Sequence, residues 1–310
     1  MIPKLLLISA AVFLAMELMP GDAVTRSIDP ELLASLQPEQ IEALKEAKGL
    51  NDPGYIRYFR WLGDVLHGDF GYSLTSGTSI ANLIAIRLPA TLELAMFGLT
   101  ISTVFGILLG FVTSIRKNTP LDYSCTALGM VGISIPEFFF GMLFILLFAI
   151  RLKWLPTGGR FELEDPSFWG HLKHMILPSL SLAIALIATL MRYTRSCMLD
   201  VMGKDYIKTA RAKGLKESTV YIKHCFRNGC APVMILLIGR LGMLISGTTI
   251  IETIYNYPGM GSMFLSAVSS ADTPVAMMVL LLTSTTALIC TFLADIVIAV
   301  LDPRIRFGEE

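Results

Sequence analysis

Charge is what this chain has least of. Charged side chains make up 16% of its 310 residues and hydrophobic ones 54%, where soluble domains carry about 25% and about 45–50%. Lysine plus arginine and aspartate plus glutamate stand at 25 each, a net charge of zero, which leaves no polycationic surface for nucleic acid. Thiols and imidazoles are scarce as well. The five cysteines, Cys125, Cys197, Cys225, Cys230 and Cys290, include no two pairs with metal-ligand spacing, which argues against structural zinc. None falls in the segments read below as external, so no disulfide framework is expected. The four histidines form no HExxH. His171 and His174, three apart, read as an interfacial pair beside Trp169 in preference to a shared metal site. There is no GxSxG, no GxGxxG after a strand, and Gly203-Lys204-Asp205 does not close a phosphate loop. No enzyme signature is left, and no catalytic, cofactor-binding or metal-binding residue is assigned.

What the chain has in excess is apolar length. Its mean hydropathy is +0.63, and crossing a bilayer core takes about 20 apolar residues in a helix. Residues 94–115, 175–191 and 273–294 carry no charge. Residues 124–150 are apolar except for Glu137, and residues 228–251 except for Arg240. Residues 5–16 are shorter and, with their apolar flanks, nearly span. A cleaved signal peptide fits this first run less well than a retained helix, because no small-x-small site precedes Pro20-Gly21-Asp22. The expectation is an all-α integral membrane protein with six transmembrane helices: a first span over 1–19, an extracytoplasmic helical segment over 20–89, and a five-helix core over 90–310.

Basic residues orient it. Segments 116–122, 192–227 and the tail after Asp302 hold 13 lysines and arginines, against ten in 20–87, 151–174 and 252–272 over more than twice the length. The first set is therefore cytoplasmic, with both termini inside. Within 20–89, Asp52-Pro53 reads as an N-cap and first helical residue, and His67-Gly68 as a stop. Ile56, Phe59, Leu62 and Leu66 recur between them at helical spacing. Pro38 to Lys48, closed by Gly49, reads as a second, more polar helix. This segment either covers the bundle or receives an external partner.

The inner loop, about 192–230, is the most informative stretch. Asp205 can cap a short helix that ends at Gly214 in the left-handed conformation. Tyr206, Ile207 and Ala210 would face the membrane body, and Lys204, Lys208, Arg211 and Lys213 the cytoplasm. Val220, Ile222 and Phe226 form a second amphipathic run. On physics alone a basic helix lying on anionic lipid fits slightly better than a docking element. Asp205-Tyr206-Ile207-Lys208-Thr209-Ala210-Arg211-Ala212-Lys213-Gly214-Leu215, followed by His224 and Arg227-Asn228, resembles the ATPase-coupling loop of binding-protein-dependent ABC importer permeases, in the form of the dipeptide, oligopeptide and nickel subfamily. The generic loop glutamate and closing proline of the wider family are absent. Other segments are similar in the same order: Met19-Pro20-Gly21-Asp22, His67-Gly68-Asp69-Phe70-Gly71, Leu88-Pro89-Ala90-Thr91-Leu92-Glu93, Ile176-Leu177-Pro178, Glu252-Thr253-Ile254-Tyr255-Asn256-Tyr257-Pro258-Gly259 and Leu301-Asp302-Pro303-Arg304-Ile305-Arg306.

The resemblance implies a type I ABC importer permease fold in a cell inner membrane. It implies one half of a heterodimeric pore formed with a second homologous permease. Two cytoplasmic ATPase subunits would hold ATP and Mg, and an extracytoplasmic solute-binding protein would deliver peptides or related solutes. A metal-chelate cargo such as nickel, or a channel or secondary transporter working without ATPases, are the alternatives. Two charges fall inside spans, where they are costly and mark a cavity or a partner. Glu137 lies near the middle of the third span and Arg240 near the middle of the fifth. Pro136 frees carbonyls beside Glu137, so Ser134, Pro136, Glu137 and Arg240 are the translocation-pathway candidates. A Glu137–Arg240 ion pair is the structural alternative.

Overall fold

The computed structural model describes residues 2–18, 37, 40, 52–161 and 167–301, with the side chains at 241–247, 298, 300 and 301 excepted. The expected helix between Pro38 and Lys48 lies outside the described residues, as do Met19-Pro20-Gly21-Asp22 and the tail after Leu301. Twelve α-helices follow in order among the described residues: α1 (Ile2–Glu17), α2 (Gly54–Leu66), α3 (Ile80–Ile115), α4 (Pro120–Ser134), α5 (Glu137–Phe144), α6 (Phe168–Met202), α7 (Asp205–Ala212), α8 (Glu217–Thr219), α9 (Arg227–Gly247), α10 (Thr249–Ile254), α11 (Met260–Ser269) and α12 (Thr273–Leu301). Two π-helical stretches, Ile145–Arg151 and Val220–Phe226, extend α5 and lead into α9. No strand is present among the described residues beyond one isolated bridge, Tyr72 to Ser79.

Three of these helices are long and apolar enough to cross a membrane: α3, α6 and Thr273–Val297 of α12. The run expected as one span at 124–150 is instead two helices, α4 and α5, bent by 102° at a short break. Together they pass the same test as a fourth crossing. The bend has a local cause. Proline disfavours helical backbone at the residue before it, and Ile135 is extended (φ −93°, ψ 130°). Glu137 is consequently not in mid-helix but is the first residue of α5.

The chain divides into two compact units, one of residues 1–91 and 258–288, the other of 92–257 and 289–310. In the first, Val12, Ile80, Ile84, Met260, Met263, Val275, Met278 and Val279 form a buried cluster, with Trp61, Val65 and Phe70 packed against it. Phe13 of α1 meets Tyr58 and Trp61 of α2 at ring-centroid distances of 5.5 Å each. The α2 face turned to α1 is thus that of Tyr58 and Trp61, and not the Ile56/Phe59/Leu62/Leu66 set whose spacing marks the helix. Its start also differs: Pro53 stands at the N-cap without a side-chain bond, and Asp52 pairs with Arg60 at 2.8 Å. His67 and left-handed Gly68 (φ +86°) end the helix where expected.

In the second unit α4, α5 and α9 pack against α6. The α3–α6 approach depends on missing side chains. A β-carbon on Gly106 would lie 2.6 Å from Leu190 Cβ, and one on Gly110 2.6 Å from the Met191 carbonyl oxygen. Both are far below van der Waals contact, so larger residues would force the helices apart. Ser167 caps α6 by accepting from Gly170 N at 3.0 Å.

Candidate functional site

Helix α7 is held by two apolar side chains. Ile207 is fully buried and Ala210 nearly so, in a cluster with Met198, Val220 and Cys225 that Phe111, Tyr221 and Phe226 flank. Residues three apart on a helix share a face, so the opposite side is free. It carries Lys204, Asp205, Lys208, Thr209, Arg211, Ala212 and Lys213, all exposed. Tyr206 joins them: it is 46% exposed, not turned to the membrane body as expected, because only the Ile207/Ala210 pair fits the stripe. Asp205 is not the N-cap. Lys204 occupies that position, and Asp205, the first helical residue, accepts from Lys208 Nζ at 2.9 Å.

The far end matches the expected stop. Lys213 closes the helix and Gly214 follows at φ +77°, a conformation that costs glycine little and other residues more. A staple crosses this turn. Arg211 Nε and Nη2 donate to Glu217 Oε1 and Oε2 at 2.8 and 3.3 Å, and the guanidinium carbon lies 5.9 Å from the Tyr221 ring centre. The hydrogen bond from Arg211 holds the Glu217 carboxyl below its ordinary range, against a smaller opposing effect of desolvation.

The pathway candidates stand apart from this loop in sequence and in character. Ser134 is exposed and donates to the Met130 carbonyl at 2.8 Å. Pro136 is exposed, and Glu137 and Arg240 are half-buried. No ion pair joins Glu137 and Arg240, whose expected alternative role this was, and neither has another ion-pair partner among the described residues.

Two carboxylate centres were missed from spacing. Glu93 Oε2 accepts from Arg160 Nη2 at 2.9 Å and Nε at 3.2 Å. His171 Nε2 meets its Oε1, and Tyr257 OH its Oε2 at 3.5 Å. His171 is therefore a carboxylate partner, while His174 turns to the Gly170 carbonyl. No group of three metal-ligating side chains exists among the described residues. The second centre is Asp122, which binds Arg195 Nε and Nη2 at 2.7 and 2.8 Å and ties α4 to α6. Nearby in chemistry if not in sequence, the buried Tyr255 hydroxyl bridges Ser181 Oγ at 2.9 Å and the Gly141 carbonyl at 3.1 Å. The available signals were single charged residues, Glu93 within α3 and Asp122 in the first turn of α4, each with a partner 67 or more positions away.

A largely helical membrane chain with a basic, exposed helix on the 192–230 loop is consistent with one class, the permeases of type I ABC importers. In solved structures, the inward-facing MetNI methionine ABC transporter matches with a TM-score of 0.59 at 14% identity, over 71% of this chain and 96% of that one. At that identity the likeness establishes the fold. Sequence goes further. The family described as binding-protein-dependent transport system inner membrane component matches residues 102–307. The oligopeptide transport system permease protein AppB of Bacillus subtilis (strain 168) is 38% identical over 308 residues, 99% of this chain and 96% of that protein. The glutathione transport system permease protein GsiC of Escherichia coli (strain K12) is 34% identical over 307 residues, again 99% and 96%. The chain belongs to the binding-protein-dependent inner membrane component family and is a multi-pass permease subunit of an ABC importer. It is a transport component and not an enzyme, and this class works with ATPase and solute-binding partners.

Proposed function

We propose that this chain imports peptides or glutathione-like solutes as one half of a heterodimeric pore. The observation that carries the cargo reading is similarity along almost the entire chain to permeases named for oligopeptide and glutathione transport. On this reading the chain crosses the inner membrane six times, with α1, α3, the α4–α5 pair, α6, α9 and α12 as the spans. Both termini are cytoplasmic, as the lysine and arginine distribution supports. Helix α7, at the centre of the 192–230 loop, docks on an ATPase subunit. ATP and Mg are held there, and nucleotide-driven closure moves α7 as a short lever that alternates access to the pore. The exposed face from Asp205 to Lys213 and the left-handed Gly214 support that role. Ser134, Pro136, Glu137 and Arg240 face the pathway, where a break in the backbone at Pro136 frees polar groups beside Glu137.

Reconstitution with both ATPases, the second permease and the binding protein tests coupling. Gly214→Leu places a β-carbon where φ is +77° and should lower ligand-stimulated ATP hydrolysis while the complex still assembles. Full stimulation by this variant would overturn the lever reading. Topology is tested by single cysteines replacing Thr157 and Lys216. An impermeant thiol reagent should reach the first from outside and the second only after the inner face is opened.

A further inference from the structure

Helix α2 lies in the stretch read from sequence as an extracytoplasmic segment, yet it packs along the side of α1 and not beyond its end. It crosses α1 at Phe13, where Tyr58 and Trp61 make their ring contacts. At about 1.5 Å of rise per residue, Phe13 sits about 6 Å below Glu17, the last residue of α1. From that crossing two adjacent α2 side chains reach in opposite directions. Arg57 Nη1 extends toward the outer end and binds Glu17 Oε1 at 2.7 Å. The Tyr58 hydroxyl extends the other way, meeting Ser9 Oγ at 2.8 Å beside the Leu6 carbonyl. A cation reaching up and an aromatic ring reaching down is the arrangement of a helix at a water–hydrocarbon boundary.

The rest of α2 divides to match. Successive residues turn by about 100° around a helix axis, which sorts its side chains into three faces. Tyr58, Trp61 and Val65 form the face against α1 and the core. Arg57, Arg60, Asp64 and His67 form a polar face. Opposite that polar face lies a stripe of Tyr55, Phe59, Leu62 and Leu66, of which Tyr55, Phe59 and Leu66 are 66%, 65% and 78% exposed. Among the described residues, no side chain of α1 or the core covers this stripe. Helix α1 also carries exposed apolar residues, among them Leu7 and Leu14, which face lipid if α1 is a span.

We propose that α2 is an interfacial helix embedded in the outer headgroup–acyl boundary, with Tyr55, Phe59 and Leu66 among phospholipid acyl chains. Amphipathic helices of this kind bury their apolar face by about 5–10 Å, the depth at which α2 crosses α1. The polar face then meets headgroups and water, and Arg57 neutralises Glu17 where α1 leaves the hydrocarbon. The consequence is that α2 braces the short first span sideways in the outer leaflet. The inference rests on α1 being a span, which belongs to the topology proposed above.

The test uses nitroxide labels on single cysteines replacing Leu7, Tyr55, Phe59, Arg60, Asp64 and Leu66, all exposed side chains, in the full chain reconstituted with its partner subunits in phosphatidylethanolamine–phosphatidylglycerol vesicles. Collision with dissolved oxygen reports hydrocarbon, and collision with a water-soluble nickel chelate reports water. Labels at 55, 59 and 66 should share the high oxygen-to-nickel ratio of the label at 7, and the ratio should invert at 60 and 64. High nickel accessibility at 59 and 66, with the label at 7 still in oxygen-rich surroundings, overturns the proposal by putting α2 in water. Shielding of 59 and 66 from both reagents overturns it too, because a protein partner then covers the stripe. Nickel accessibility at 7 overturns the span reading of α1 itself.

Discussion

Asp122–Arg195 and Glu217–Arg211 are the same chemical device in two solvents. Each is a carboxylate held by the Nε and Nη2 of one guanidinium, at 2.7 and 2.8 Å in the first and 2.8 and 3.3 Å in the second. The Asp122 side chain is 3% exposed, and that of Glu217 is 53% exposed. In the first pair the fork replaces lost hydration and joins two long helices, so removing either partner strands a charge. In the second, water competes for both partners, and the fork chooses a loop geometry without adding much stability. Geometry alone does not rank the two. Burial does.

The largest effect is therefore expected at Asp122. Asp122→Ala leaves Arg195 without its counter-ion between α4 and α6, and loss of one partner from a buried pair costs about 3–5 kcal/mol. Arg195 keeps partial solvent access, which sets the expectation at the lower end of that range. Thermal unfolding in detergent should show it as a clear drop in midpoint. Arg195→Lys should fall nearly as far, since an ammonium cannot reproduce the fork. A loss no larger than that of Glu217→Gln would break the comparison.

Glu93 falls between the extremes. Its carboxylate is 30% exposed, and its partners Arg160 and His171 are similarly half-open. Glu93→Gln keeps the shape and removes the charge that Arg160 and His171 address. Hydrogen bonds to charged groups contribute about 1.5–3 kcal/mol, less here because solvent reaches all three groups. Unfolding midpoints should rank Asp122→Ala, Glu93→Gln and Glu217→Gln in that order of damage.

These sites also show what could be read before folding. Helix α7 was legible because everything that defines it is local: Ile207 and Ala210 three apart, a basic face, and Gly214 at the stop. The proline break was legible as a position, since Pro136 restricts Ile135, but the angle of 102° depends on packing against α6. The face of α2 that meets α1 was not legible, because both Ile56/Phe59/Leu62/Leu66 and Tyr58/Trp61/Val65 are apolar at helical spacing. Only the position of Phe13 decides between them. Asp122 and Glu93 were invisible for a different reason. Their partners stand 73 and 67 to 164 residues away, and no local pattern encodes such a distance.

Glu137 and Arg240 supply the contrast of carboxylate and guanidinium without a fork. Since no ion pair joins them, Glu137→Gln and Arg240→Gln should act independently. Their combined effect on stability should match the sum of the singles to within about 0.5 kcal/mol. Rescue by the double variant, measured as unfolding midpoint or as transport in vesicles, would show that the two meet in some state of the cycle.

The smallest effect belongs to Glu217, and pH is the way to see it. Its folded pKa is lowered, first by the hydrogen bond from Arg211. A lowered carboxylate pKa means that the staple's contribution is complete above the ordinary glutamate range, about 4.3. It is lost as pH falls through the depressed folded value. At neutral pH the staple should therefore be insensitive to small changes, and the loop should loosen only in acid. Carboxyl-carbon NMR of the labelled protein should place the Glu217 midpoint below that of an unpaired glutamate. Arg211→Gln should return it toward the ordinary value, because the first cause of the shift has gone. An unchanged midpoint in that variant would show that water already dominates this fork, and that only the buried one orders structure.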